Sequence, residues 1–121
     1  MQIIPITGNI GAEISDLNLK QAISIDLQSA LRNALDRYLV LIFPNQHLDV
    51  SGHKHFSEVF GKPMVNPYAP GPDAHPEMTY VIKEASDRSG VFGGGWHTDL
   101  SFLERPPSGS VLCALEVPPH G

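Results

Sequence analysis

Residues 63–78 hold five prolines and one glycine: Pro63, Pro67, Pro70, Pro72, Pro76 and Gly71. Proline lacks the backbone donor that a helix interior or a central strand needs, so no regular element can run through this stretch. It reads as a long loop. Regular structure must therefore form separately on either side of it. With 121 residues in all, the chain has room for one small domain with a real core. No internal repeat or low-complexity tract divides it, and 1–121 parses most simply as one continuous domain.

Before the loop, the pattern of apolar residues names its elements. Ile3-Ile4 and the stretch 10–19 are short apolar pieces separated by Gly8-Asn9 and Gly11, as for two strands joined by a turn. From 24 to 38 the period becomes helical. Leu27, Leu31, Leu35 and Tyr38 fall on one face, while Arg32, Asn33 and Asp36 fall on the other. Ser24 is placed to cap this helix, and Asp26 suits the positive end of its dipole. The five apolar residues 39–43, closed by Pro44-Asn45, predict a buried strand. A second helix starts from a cap at Asp49 or Ser51, brings Phe56, Val59 and Phe60 together, and ends at Gly61 ahead of Pro63.

Beyond the loop, 79–83 is a short strand candidate, and Gly93-Gly94-Gly95 leads to Trp96. Residues 96–103 alternate as a strand would, and Pro106-Pro107 stops them. Residues 110–117 are apolar at nearly every position, as for a strand buried on both faces. The chain then closes on Pro118-Pro119-His120-Gly121.

Composition excludes several classes. A net charge of -5 with eight scattered basic residues argues against a nucleic-acid partner, which needs clustered cations. The apolar run at 39–43 falls far short of the ~20 residues of a membrane span. Met1-Gln2-Ile3-Ile4-Pro5 lacks the basic region of a signal peptide. The single Cys113 offers no internal disulfide or zinc pair. A cytoplasmic protein is the resulting expectation.

The chemistry concentrates in His97-Thr98-Asp99. On a strand, residues i and i+2 project to the same face, so an imidazole and a carboxylate would converge. That donor pair suits Fe(II) when a second histidine completes a facial triad. An exposed hydrogen-bonded His–Asp pair has the same spacing, so the triplet alone leaves both readings open.

The surrounding residues carry a resemblance. The stretch Gly94-Gly95-Trp96-His97-Thr98-Asp99-Leu100-Ser101-Phe102-Leu103-Glu104-Arg105-Pro106-Pro107 closely resembles the taurine / 2,4-dichlorophenoxyacetate dioxygenase family. So do Gly109-Ser110-Val111-Leu112, Ala114-Leu115-Glu116-Val117-Pro118-Pro119, and the opening Gly11-Ala12-Glu13-Ile14-Ser15-Asp16-Leu17-Asn18-Leu19. The order of the pieces agrees as well, including a helix that ends in Phe60-Gly61-Lys62-Pro63.

The resemblance implies the N-terminal portion of a double-stranded β-helix (jelly roll) with two flanking helices. It implies that His97 and Asp99 are the first two ligands of Fe(II). The reaction implied is hydroxylation of a small organic substrate by oxygen, with 2-oxoglutarate converted to succinate and carbon dioxide. The family's distal iron histidine, its 2-oxoglutarate-binding arginine and a cosubstrate-contacting threonine would all lie beyond Gly121. By itself, then, the chain is expected to be inactive and its jelly roll incomplete, with roughly four to six strands of about eight. Strand edges left open would pair with a second copy or with a complementary C-terminal chain.

Asn66-Pro67-Tyr68 falls in the loop where taurine dioxygenases place a substrate-binding histidine followed by a tyrosine. Asn66 replaces that histidine and the loop is one residue shorter. The departure turns the expectation from taurine toward another small anion or organic acid. Tyr68, Leu100 and Phe102 are further pocket candidates, with ordinary packing as the other reading. A non-catalytic β-sheet module for binding or oligomerisation is the alternative function.

Other residues have plainer readings. Trp96 is expected to be a packing anchor and Cys113 a core residue. The glycines 93–95 are expected to form a hinge and not a phosphate cradle, because no helix start follows. His53 and His55 point to different faces of a helix and are expected to be solvated. His47 and His75 are expected on the surface, and His120 is a poor third ligand.

Overall fold

The computed structural model describes residues 1–84, 86–88, 90 and 93–119. It comprises two compact units, one formed by Met1–Gly61 with Val111–Gly121 and the other by Lys62–Ser110.

The first unit is built on a three-stranded sheet. Strand β1 (Gln2–Pro5) pairs antiparallel with β2 (Ala12–Ser15), and β2 pairs in parallel with β3 (Leu41–Ile42). The parallel pair needs a crossover, which helix α1 (Ile25–Tyr38) supplies. Gly11 sits at φ 88°, a conformation that glycine alone enters freely, at the approach to β2. The Gly11 amide donates to the Tyr38 carbonyl at 2.8 Å, tying the end of α1 to the start of β2.

Helix α1 follows the expected pattern closely. The Ser24 hydroxyl accepts from the Leu27 amide at 3.3 Å, and Asp26 occupies the first turn. Leu31 is fully buried, Leu27, Leu35 and Tyr38 are half-buried on the same face, and Arg32, Asn33 and Asp36 are exposed. Leu39 closes the helix in the left-handed conformation at φ 65°, its amide donating to the Leu35 carbonyl at 2.7 Å. That cap removes Leu39 from the expected strand. What forms is only Leu41–Ile42, with Leu39, Val40 and Ile42 exposed, because β3 is an edge with a single neighbour. The prediction of a buried strand over 39–43 is corrected to this short, half-exposed edge.

Helix α2 (Val50–Ser57) starts at Asp49, whose carboxylate accepts from the Gly52 amide at 2.7 Å. It buries Phe56, with Val59 buried just beyond its end. Phe43 and Phe60 meet Phe56 edge-on, at centroid distances of 5.1 and 5.6 Å. Together with Ile14, Leu19 and Leu31 these residues form the core between sheet and helices. Two polar side chains secure its rim. Gln46 accepts from the Leu19 amide and donates to the Leu17 and Pro44 carbonyls, each at 3.0 Å. Arg32 donates from Nε to the Val59 carbonyl at 2.6 Å.

The second unit contains no helix or strand among its described residues. The proline-rich loop is nonetheless tightly turned. Gly71 donates to the Pro76 carbonyl at 3.0 Å, His75 to Pro72 at 2.8 Å and Met78 to His75 at 3.0 Å.

The strands predicted at 79–83, 96–103 and 110–117 do not form among the described residues. A strand exists only where a neighbouring strand takes up its backbone donors and acceptors, and among the described residues no strand pairs with these segments. Tyr80, Val81 and Ile82 are exposed, as are Leu112, Leu115 and Val117. Val111 is the exception, packing against the core of the first unit.

Candidate metal centre

His97 and Asp99 converge, though not in the way a strand would bring them together. The chain bends through this region, with Gly93 at φ 69° and Leu100 at φ 50°, and the Leu103 amide donates to the Leu100 carbonyl at 3.1 Å. Just before this turn, His97 Nε2 lies 3.1 Å from Asp99 Oδ1. The Thr98 and Ser101 hydroxyls lie 2.7 Å apart across the same turn.

Each member of the pair has a second partner. His97 Nδ1 lies 2.7 Å from the Gly95 carbonyl, which can only accept, so Nδ1 carries the proton. On the other side the Ser110 hydroxyl donates to Asp99 Oδ2 at 3.0 Å. What remains between the two residues is Nε2 and Oδ1, one nitrogen and one oxygen facing each other. Both side chains are about half exposed, at 52% and 57%. They open onto a cavity of about 450 Å³ lined also by Thr98, Pro107, Ser108, Gly109 and Ser110.

The hydrogen bond to Gly95 stabilises the imidazolium and outweighs the opposing effect of desolvation, and the Asp99 charge adds a smaller push in the same upward direction. His97 therefore titrates above its ordinary 6.5. Gly93 is a close neighbour of the ring: a Cβ there would stand 3.3 Å from His97 Cε1.

The pocket candidates fall in the same unit. Tyr68 and Phe102 stack edge-on at a centroid distance of 5.7 Å, both largely exposed, and Leu100 is half-buried. Asn66 turns its side-chain oxygen onto its own loop, accepting from the Tyr68 amide at 2.9 Å and the Ala69 amide at 3.2 Å.

Other expectations are revised. Trp96 is fully exposed and anchors nothing, because no described side chain covers it beside the glycine run. Cys113 is half-buried and not a core residue, since the strand that was to enclose it is absent. His53 is half-buried, and its Nε2 donates to the Val111 carbonyl at 2.9 Å. His55 is exposed as expected, 3.5 Å from Glu58. His47 is exposed and His75 half-buried. His120 lies outside the described residues.

Among the described residues no group of three or more His, Cys, Asp or Glu could hold a metal ion, so the pair stands without a third protein ligand there. No helix among them is long and apolar enough to cross a membrane.

Sequence comparison decides the ancestry. The profile of the taurine catabolism dioxygenase TauD, TfdA family matches residues 2–121. The chain belongs to that family. It is 34% identical over 122 residues to an alkylsulfatase of Acinetobacter baylyi, covering 100% of this chain and 37% of that one. An alpha-ketoglutarate-dependent sulfate ester dioxygenase of Pseudomonas putida is 30% identical, with 100% and 39% covered. The crystal structure of a taurine dioxygenase from Burkholderia xenovorans superposes with a TM-score of 0.69 at 32% identity, over 88% of this chain and 37% of that one. The chain thus spans about two-fifths of the length of these relatives.

Ser110 and the Gly95 carbonyl were not legible as partners of the pair. Ser110 lies eleven positions from Asp99, and no periodicity links them. A backbone carbonyl leaves no trace in residue identity.

Proposed function

We propose that this chain supplies the His97/Asp99 half of the iron site of a 2-oxoglutarate-dependent dioxygenase acting on a small organic substrate of the sulfate ester or sulfonate kind. The carrying observation is the convergence of His97 Nε2 and Asp99 Oδ1 at 3.1 Å, with their outer atoms already bonded to Gly95 and Ser110. The names of the relatives supply the substrate class. We read 1–121 as the N-terminal part of one dioxygenase domain whose complete fold is a jelly roll.

The donor set fits Fe(II) in kind, pairing a neutral nitrogen with a hard anionic oxygen. It supplies two of three protein ligands among the described residues. With 2-oxoglutarate and oxygen, bound iron supplies the oxidising power for hydroxylation.

The chain's own residues prepare the donors. Gly95 keeps the proton on Nδ1, so the nitrogen that must give up its proton to a metal is Nε2, on the Asp99 side. Ser110 occupies Oδ2 and leaves Oδ1 toward the ring. The cavity at the pair admits a small ligand from solvent.

The test is an anaerobic titration of the chain with Fe(II) and 2-oxoglutarate, followed by the visible charge-transfer absorption of the chelate. A band that His97→Ala abolishes supports the reading. Two ligands hold iron weakly, so a longer version carrying a further histidine and an arginine serves as the second arm. Absence of the band in both overturns it.

Association of copies belongs to the same reading. The exposed apolar side chains of Ile3, Ile4, Leu112, Leu115 and Val117 favour self-pairing.

A further inference from the structure

The His53 ring stands on helix α2, whose start is capped by Asp49 and whose Phe56 is buried in the core. The His53 amide is tied to the Asp49 carbonyl at 2.9 Å. Its ring Nε2 donates to the Val111 carbonyl, also at 2.9 Å. A donor carried on a packed helix is a firmer base than one on a loop. Val111 is held in a second way, because its side chain packs against the same core.

The residue immediately before it, Ser110, donates to Asp99 Oδ2 at 3.0 Å. Ser110 lies in no helix or strand and is exposed, and Asp99 is more than half exposed. Water competes for both groups there, so the net gain from this bond is small. It does not offset the entropy of ordering a loop residue, and the backbone must be fixed by something else. Val111 supplies that restraint directly. Consecutive Cα atoms stand only about 3.8 Å apart across one peptide, so holding Val111 leaves Ser110 little room to wander.

We propose that His53 is a positioning residue for the metal pair, holding Val111 so that Ser110 keeps Asp99 Oδ2 occupied and Oδ1 turned toward His97. The proposal rests on the reading of His97 and Asp99 as iron ligands, but the arrangement itself is readable without metal.

The experiment compares His53→Asn with His53→Gln in the whole chain. Glutamine carries an amide N–H that reaches about as far as Nε2, while asparagine offers the same donor one methylene short. His53→Ala removes the donor and favours the helix, so it serves as the second variant should asparagine disturb α2. In the metal-free protein the reporter is the NMR shift of the Asp99 carboxyl carbon, with Ser110→Ala marking its position when the serine bond is gone. His53→Asn and His53→Ala should move the signal toward that position, and His53→Gln should return it to the wild-type value. A signal that stays at the wild-type value in the donor-less variants, or moves equally in His53→Gln, overturns the proposal. So does a Ser110→Ala signal equal to that of the wild type.

The second arm is anaerobic Fe(II) binding, followed by quenching of Trp96, the one tryptophan and the neighbour of His97. Affinity should fall about tenfold in His53→Asn and in Ser110→Ala, as for a lost partner of a ligating carboxylate, and no further in the double variant. A double variant weakened about a hundredfold would show independent effects and overturn the route through Ser110. A wild-type chain that binds no iron sinks the dioxygenase reading and leaves the carboxyl result standing.

Discussion

His97 shows how one side chain can be set by two neighbours of different kinds. Its Nδ1 proton goes to the Gly95 carbonyl, and its Nε2 faces Asp99. The first contact is the larger reason why His97 titrates above 6.5. Because the folded value is raised, the contribution to stability is fully present below the unfolded value. It is lost as pH rises through the folded value. The ring is exposed, so the effect on stability is small and the titration itself is the better readout. In the metal-free chain, the His97 ring signals should titrate above the ordinary 6.5, and Asp99→Asn should lower the midpoint. A His97 midpoint at or below 6.5 would count against the contacts. A metal must displace the Nε2 proton, so its affinity should rise with pH through the same range.

At the scale of the element, the two helices were legible because their signals are local. Ser24 was named as a start and Asp49 as one of two candidates with Ser51, and Ser24 and Asp49 each accept a backbone amide three residues on. Replacing either with alanine should cost about 1 kcal/mol, read from the shift in the urea unfolding midpoint. The cost at Ser24 should appear as global destabilisation, since α1 carries the fully buried Leu31. No change on Ser24→Ala would mean that the cap is replaced by water. The strands were less legible, and the reason is symmetrical. An apolar run of five to eight residues states that a strand is possible, while its partner lies elsewhere. Residues 12–15 found strand neighbours on both sides; residues 110–117 found no pairing strand among the described residues.

Among the described residues, many large apolar side chains stand exposed, and uncovered apolar surface favours association. Leu112, Leu115 and Val117 are 85%, 77% and 69% exposed, and β1 lies at the edge of its sheet with both isoleucines exposed. Light scattering after size exclusion should therefore give a mass that grows with concentration. Lys at both 112 and 115 should return it toward the 13.2 kDa of one chain. A single-chain mass at high concentration would dispose of the association reading.

The sequence by itself determined the helices, their caps, the face of α1 that is buried, and the family. These depend on residues near one another along the chain, or on an order of motifs that any reader of the chain can follow. It also placed His97 and Asp99 together, but for a reason that did not hold. They meet in an irregular segment just ahead of left-handed Leu100, not along a strand. Only the tertiary structure decided which atoms of the pair are left facing each other, that Ser110 and Gly95 hold the outer ones, and that Asn66 serves its own loop. Each of these rests on backbone angles and on partners that no pattern in the side chains records.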